Sequence, residues 1–165
     1  MKKIPLILKM MTDYNAPDLK RINHALKVYG MTEYIACGEN LSDYEALIVK
    51  AASLLHDIGL HEAEKRFNSS AGIYQEQLGP EVAVPILEKA GFNNEEIEKI
   101  TYIIAHHHTY NIKDNKLLRI IIEADLIVNI DEGEFGPNVD LEHIKNENFV
   151  TETGKSLFDK LILNK

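Results

Sequence analysis

The stretch "LSDYEALIVKAASLLHDIG", residues 41–59, constrains this chain more than any other. Ser42 and Glu45 are spaced as a capping box, the middle is apolar on most faces, and Gly59 closes it. A helix that is apolar all round is a buried one. The segment therefore predicts a central helix with others packed around it. That helix ends on a histidine and an aspartate side by side, His56 and Asp57. A buried carboxylate is costly unless it is paired or bound to a metal.

The remaining segments also read as helices. "NAPDLKRINHALKVYG" offers Asn15 as N-cap, Pro17 in the first turn and Gly30 as terminator, with a short helix following in "MTEYIACGEN". "LHEAEKRFNSSAGIYQEQ" predicts a short helix and a polar loop, and "GPEVAVPILEKAG" a helix that Pro85 kinks. "NNEEIEKITYIIAHHH" starts on an Asn93–Glu96 cap pair, and "KDNKLLRIIIEADLIVNI" is a strongly apolar helix. Length and caps favour helix over strand even in the β-branched runs, and there is no strand alternation, hairpin signal or internal repeat. The expected class is all-α: a single helical domain over residues 1–165, with a motif-bearing core at about 15–130 and C-terminal helices at 140–165.

Net charge is −8, from 26 acidic and 18 basic residues. That argues against a long nucleic acid as partner, since phosphate backbones need a basic surface. A small phosphorylated molecule needs only a local cationic pocket or a metal. Cys37 is the one cysteine. It reads as a small buried hydrophobe on a helix, and its solitude fits a reducing, cytoplasmic setting. In "MKKIPLILKMM" Lys9 interrupts the apolar stretch and no small-residue cleavage site follows, so no signal peptide is expected. No run approaches the roughly 18 apolar residues of a membrane-spanning helix. A homo-oligomer is compatible with the sequence.

Four polar residues fall where apolar ones belong: His24 beside Ala25 and Leu26, the His56–Asp57 pair, and Asp125 inside "IIIEADLIVNI". One metal ion explains all four. Two imidazoles and two carboxylates from three helices can converge on it, and the ion offsets the aspartate charges. Such a set leaves coordination positions open for water and substrate, as a catalytic metal requires.

The order "RINHALKVYG", "AASLLHDIG", "IIAHHH" and "IEADLI" resembles the HD-domain superfamily of metal-dependent phosphohydrolases. The resemblance implies an all-α bundle with a metal at its centre, and hydrolysis of phosphate esters or anhydrides of small molecules, usually nucleotides. It carries His24, His56, Asp57 and Asp125 over as metal ligands. The ion is a divalent transition metal (manganese, iron, cobalt, nickel or zinc), with magnesium also compatible. Asp57 is expected to ligate through one oxygen and accept the proton of the attacking water with the other.

Arg21, three residues before His24, is the favoured phosphate contact, with Lys65 and Arg66 as further candidates. Superfamily members with two metals carry a further histidine in a His-x-x-x-Gly segment, where this chain has Gln75 four residues before Gly79. Glutamine is a poor transition-metal ligand, so one ion is expected and a second disfavoured. Gln75 then becomes a substrate-binding candidate. Helical spacing from Ile100 and Ile103 puts His106 on the buried face, with His107 or His108 near it. His106 and His107 are candidates to bind phosphate or protonate the leaving oxygen. His61 and His143 read as surface residues. "TGKS" lacks the first glycine of a P-loop, and "NIDEGEFGPNVD" has Glu134 where a calcium loop requires glycine. Two other readings stand beside hydrolysis: a non-catalytic metal- or nucleotide-binding module, and a di-iron oxygenase, which needs more ligands.

Overall fold

The computed structural model describes residues 2–164. In chain order the helices are α1 (Lys3–Asn15), α2 (Leu19–Gly38), α3 (Asp43–Leu55), α4 (Leu60–Phe67), α5 (Gly72–Lys89), α6 (Asn94–Ile104), α7 (Lys116–Asp131), α8 (Leu141–Asn148) and α9 (Glu152–Phe158), the last continuing into a π-helical turn at Asp159–Leu163. No strand occurs among the described residues. The fold is all-α.

Side-chain caps set where most of these helices begin. Ser42 and Glu45 form a reciprocal capping box at α3, and Asn93 and Glu96 form one at α6. Asp18, Asn115, Asp140 and Thr151 each accept a backbone N–H in the first turn of α2, α7, α8 and α9. Each cap satisfies a donor that the helix itself leaves bare.

The second helix departs from the expected pattern. It starts from Asp18, because Asn15 belongs to the end of α1, where its side chain donates to Met11 O. It then passes through Gly30 to Gly38 as one helix. Glycine ends a helix by adopting a left-handed conformation. Gly30 does not adopt it and sits exposed with open space around its Cα. Cys37, on the same helix, is exposed rather than buried. The polar stretch after Gly59 holds α4 and the first turns of α5, and α5 contains both Pro80 and Pro85.

α2 packs along α3 and α7, α3 also meets α1 and α6, and α9 closes over α2 and α7. Buried apolar residues form one cluster that includes Ile7 on α1, Ile48 to Leu55 on α3, Leu118 to Val128 on α7 and Ile162 near the C-terminus. α7 is buried continuously from Leu118 to Val128, including three charged residues, Arg119, Glu123 and Asp125. Arg119 donates to the carbonyls of Tyr110, Ile112 and Asn148. Glu123 accepts from Val150 N, Thr151 N and Thr151 Oγ1. Burial pushes the Glu123 carboxyl up, against the bonds that favour its charge. This pair fastens the C-terminal helices to α7 two residues from Asp125.

Candidate metal centre

α3 ends at Leu55, and the residues His56 to Gly59 form the tight turn into α4. The turn is possible because α4 and α5 approach closely. A Cβ on Gly59 would lie 2.6 Å from Gly79 N and 2.8 Å from Gln75 O. The turn aims His56 and Asp57 at α2 and α7. There His24 Nε2 lies 3.1 Å from Asp125 Oδ1, 3.3 Å from His56 Nε2 and 3.5 Å from Asp57 Oδ2. His56 Nε2 is 3.5 Å from both Asp57 Oδ2 and Asp125 Oδ1. His56 is fully buried, and Asp125 is 2% exposed.

The tautomers of the rings are fixed from behind. His56 Nδ1 can only donate to the carbonyl of Ser53, at 2.8 Å. His24 Nδ1 donates to the Glu132 carboxylate, also at 2.8 Å. His107 Nδ1 donates to Ile104 O at 2.8 Å. In each neutral ring the free Nε2 then carries a lone pair, and each lone pair faces a carboxylate oxygen. Acceptor faces acceptor, so the centre favours a positive charge in the middle, supplied by protonated rings or by a metal ion. The donor set of imidazole nitrogen and carboxylate oxygen is compatible with a divalent ion, and bonds of this kind orient the histidines of metal sites in general. His24, His56 and Asp57 form one donor group that could hold an ion.

The same crowding shows in the titration of these side chains. Burial opposes charge on His56, but Asp57 and Asp125 override it and push the imidazole up to about 9. His24 is likewise raised, its burial outweighed by the bond to Asp125. Burial would raise Asp57 and Asp125, yet the histidines hold both carboxyls well below the usual carboxylate range.

The chain matches the HD domain family model over residues 21–130, well over half of its length. It belongs to the HD-domain superfamily of metal-dependent phosphohydrolases. No curated protein and no solved structure matches it. Among the described residues of this HD domain, no helix is long and apolar enough to cross a membrane.

A second donor group shares Asp57. His107 is fully buried, with Nε2 3.3 Å from Asp57 Oδ1, and Asp57, His107 and His108 together could hold an ion. Gln75 donates to Ser70 O at 2.7 Å, so its Oε1 accepts from His108 Nε2 at 3.3 Å. Burial, then the neighbouring His107, lowers His108 to about 4. His106 does not join them. Its Nδ1 donates to Tyr102 O at 2.7 Å, and its ring stacks on Tyr102 away from the centre. α6 ends at Ile104, so helical spacing does not carry past it, and the turn presents His107 inward instead.

The HD-domain centre opens into a cleft of about 430 Å³ lined by residues that include Arg21, His24, Asp57, Gln75, His108 and Asp125. Arg21 reaches this mouth but is already engaged, by Glu64 at 2.6 Å, Asp18 at 3.2 Å and His61 Nδ1 at 2.6 Å. His61 is thus a half-buried partner rather than a free surface residue. His143 is exposed. Lys65 and Arg66 lie outside the cleft lining, paired with Glu62 and, for Arg66, Glu81. Both are on the last turn of α4, where they face solvent.

Sequence reasoning missed Glu132 and Asn129. Asn129 Nδ2 donates to Asp125 Oδ2 at 2.9 Å. Both follow Asp125 at helical spacing, four and seven residues on, which is the signal that finds them.

Proposed function

We propose that this HD domain is a metal-dependent phosphohydrolase that cleaves a phosphate ester or anhydride of a small molecule, a nucleotide in the first instance. It acts as one domain over residues 1–165, with His24, His56, Asp57 and Asp125 as ligands of a divalent ion. The observation that carries this reading is the set of tautomer-fixed Nε2 lone pairs facing buried carboxylates.

A bound divalent ion supplies Lewis acidity, making water a nucleophile near neutral pH and offsetting charge on the phosphoryl oxygens. In this reading Asp57 has two tasks. Its Oδ2 faces the imidazoles of His24 and His56, while Oδ1 faces His107 and can hold a proton taken from water. His107 Nε2 lies beside that oxygen, and His108 and Gln75 form the wall next to it. Ser53 O, Glu132 and Ile104 O hold the three rings in the geometry that ligation and proton transfer need.

The second group, Asp57, His107 and His108, could hold a further ion, and a two-ion version of the reaction would then draw on both groups. Metal content by elemental analysis, paired with a phosphate-release screen over nucleotides in added manganese, cobalt, nickel and magnesium, tests both. One ion per chain with release, both lost in Asp57→Ala, supports the one-ion hydrolase. Two ions with release moves the reading to the shared site. Two iron atoms and no release with any metal refutes hydrolysis in favour of oxygen chemistry. Metal without any turnover leaves a binding module.

A further inference from the structure

The charge of the cleft narrows the substrate. Six of its fifteen lining residues are carboxylates: Asp18, Asp57, Glu64, Asp125, Glu132 and Glu134. Against them stand Lys20 and Arg21. Neither cation is unpaired. Lys20 sits 3.3 Å from Glu134, and Arg21 is held by Asp18 and Glu64. A divalent ion offsets Asp57 and Asp125 at the floor of the cleft but leaves the rim negative. A polyphosphate tail reaching past the ion would meet this rim with Arg21 already held and only Lys20, 77% exposed in a weak surface pair, to grip it.

The apolar side chains of the lining are Leu60 and Phe135. Phe135 is 40% exposed, on the loop between Gly133 and Gly136, both at positive φ, +81° and +73°. That backbone needs glycine. Lys20–Glu134 ties the same loop to α2. A solvent-facing phenyl ring at the mouth of a largely polar cleft is a platform on which a flat ring can stack.

Resting on the phosphohydrolase reading, we propose that the cleft selects phosphate monoesters of alcohols that carry an aromatic ring, such as a nucleoside, and discriminates against the corresponding di- and triphosphates. In that reaction the oxygen of one water bonds to phosphorus, the ester P–O bond breaks, and the alcohol departs with a proton from that water. The single phosphate lies over the ion, the ring lies against Phe135, and nothing anionic crosses the rim. An added charge on the order of 6 Å from the net negative charge of the rim, at an effective dielectric of about 40, loses about tenfold in affinity.

The test measures binding and turnover separately on the manganese-loaded full chain. Calorimetry compares adenosine mono-, di- and triphosphate with glycerol 3-phosphate, and phosphate release is followed on the same four compounds. The expected order of affinity and of kcat/KM is mono over di over tri, about tenfold per step. Glu64→Gln, which removes one rim charge and the shorter of the two carboxylate contacts on Arg21, narrows that gap by strengthening the di- and triphosphates more than the monophosphate. Phe135→Ala weakens adenosine monophosphate about fivefold or more and leaves glycerol 3-phosphate unchanged. A triphosphate bound and cleaved as well as the monophosphate overturns the selectivity while leaving the hydrolase reading intact. The expected binding order with no release from any compound does the reverse. Equal effects of Phe135→Ala on both monoesters overturn the stacking role.

Discussion

Glu132 offers the sharpest test of how this centre is held. Its carboxylate accepts the Nδ1–H of His24 at 2.8 Å and sits at the C-terminal cap of α7, with its side chain 13% exposed. Glu132→Ala leaves that N–H without its acceptor and frees the ring to rotate or to change tautomer, which turns the lone pair of Nε2 away from Asp57 and Asp125. Loss of a partner behind a ligating histidine costs about 10- to 100-fold in metal affinity, or roughly 1.4–2.8 kcal/mol. One charge-assisted hydrogen bond, at about 1.5–3 kcal/mol, accounts for the same range. The other partner of Glu132, Lys27 at 2.8 Å, is an exposed ion pair and adds little. Calorimetric titration of manganese into stripped wild type, Glu132→Ala and Glu132→Gln, with thermal melting of each, gives the answer. The alanine variant should lose the full factor. The glutamine variant, which keeps an oxygen acceptor and loses only charge, should fall between. A Glu132→Ala protein that folds and binds manganese within twofold of wild type would refute the claim that this bond orients His24 for ligation.

Three further expectations follow from particular contacts. His107→Ala should weaken metal binding and turnover at least tenfold, whereas His106→Ala should change neither, since only His107 reaches Asp57; equal effects of the two would place the wrong histidine inside. Gly59→Ala drives a methyl into the backbone of Gly79 and Gln75, which cannot give way, and should cost about 1–3 kcal/mol, read as a melting point lower by roughly 2–12 °C; an unchanged melting point would contradict that close approach. Glu96 is held below its ordinary carboxylate value, its burial outweighed by Lys3 and Asn93 N–H. A depressed folded value stabilises above the unfolded one, so this contribution is present at neutral pH and is lost as pH falls below about 4.5. Glu96→Gln should therefore lose roughly 1–2 kcal/mol at pH 7 and show a flatter acid limb in denaturant titrations, and an identical acid limb would exclude the ion pair as its source.

Much of this structure is legible in the sequence wherever the physics is local. The Ser42–Glu45 and Asn93–Glu96 boxes involve residues three apart, and both helices start where those pairs put them. His24, His56, Asp57 and Asp125 stand out because each interrupts an apolar face, and the structure brings those four together. Reading fails where a distant element decides. Gly30 looks like a stop, but packing of α2 along α3 and α7 carries the helix through it. The histidine triplet is ordered by a turn after Ile104, not by helical phase. Arg21 is claimed by Glu64 and His61, 43 and 40 residues away. Arg119 and Glu123 read as polar interruptions of an apolar helix only until the carbonyl of Asn148 and the N–H of Thr151 arrive to meet them.

The spacing of the converging residues along the chain has a mechanical meaning. His24 and Asp125 are 101 residues apart, and His24 and His56 are 32 apart. An ion gripping them closes nested loops, just as a crosslink would. In the chain-entropy picture, a staple across a loop of about 100 residues removes roughly 4.7 kcal/mol of freedom from the unfolded state. The chain has one cysteine and cannot make such a staple covalently. Its centre would do so reversibly, joining α2, the turn after α3 and α7 in one knot that a chelator can untie.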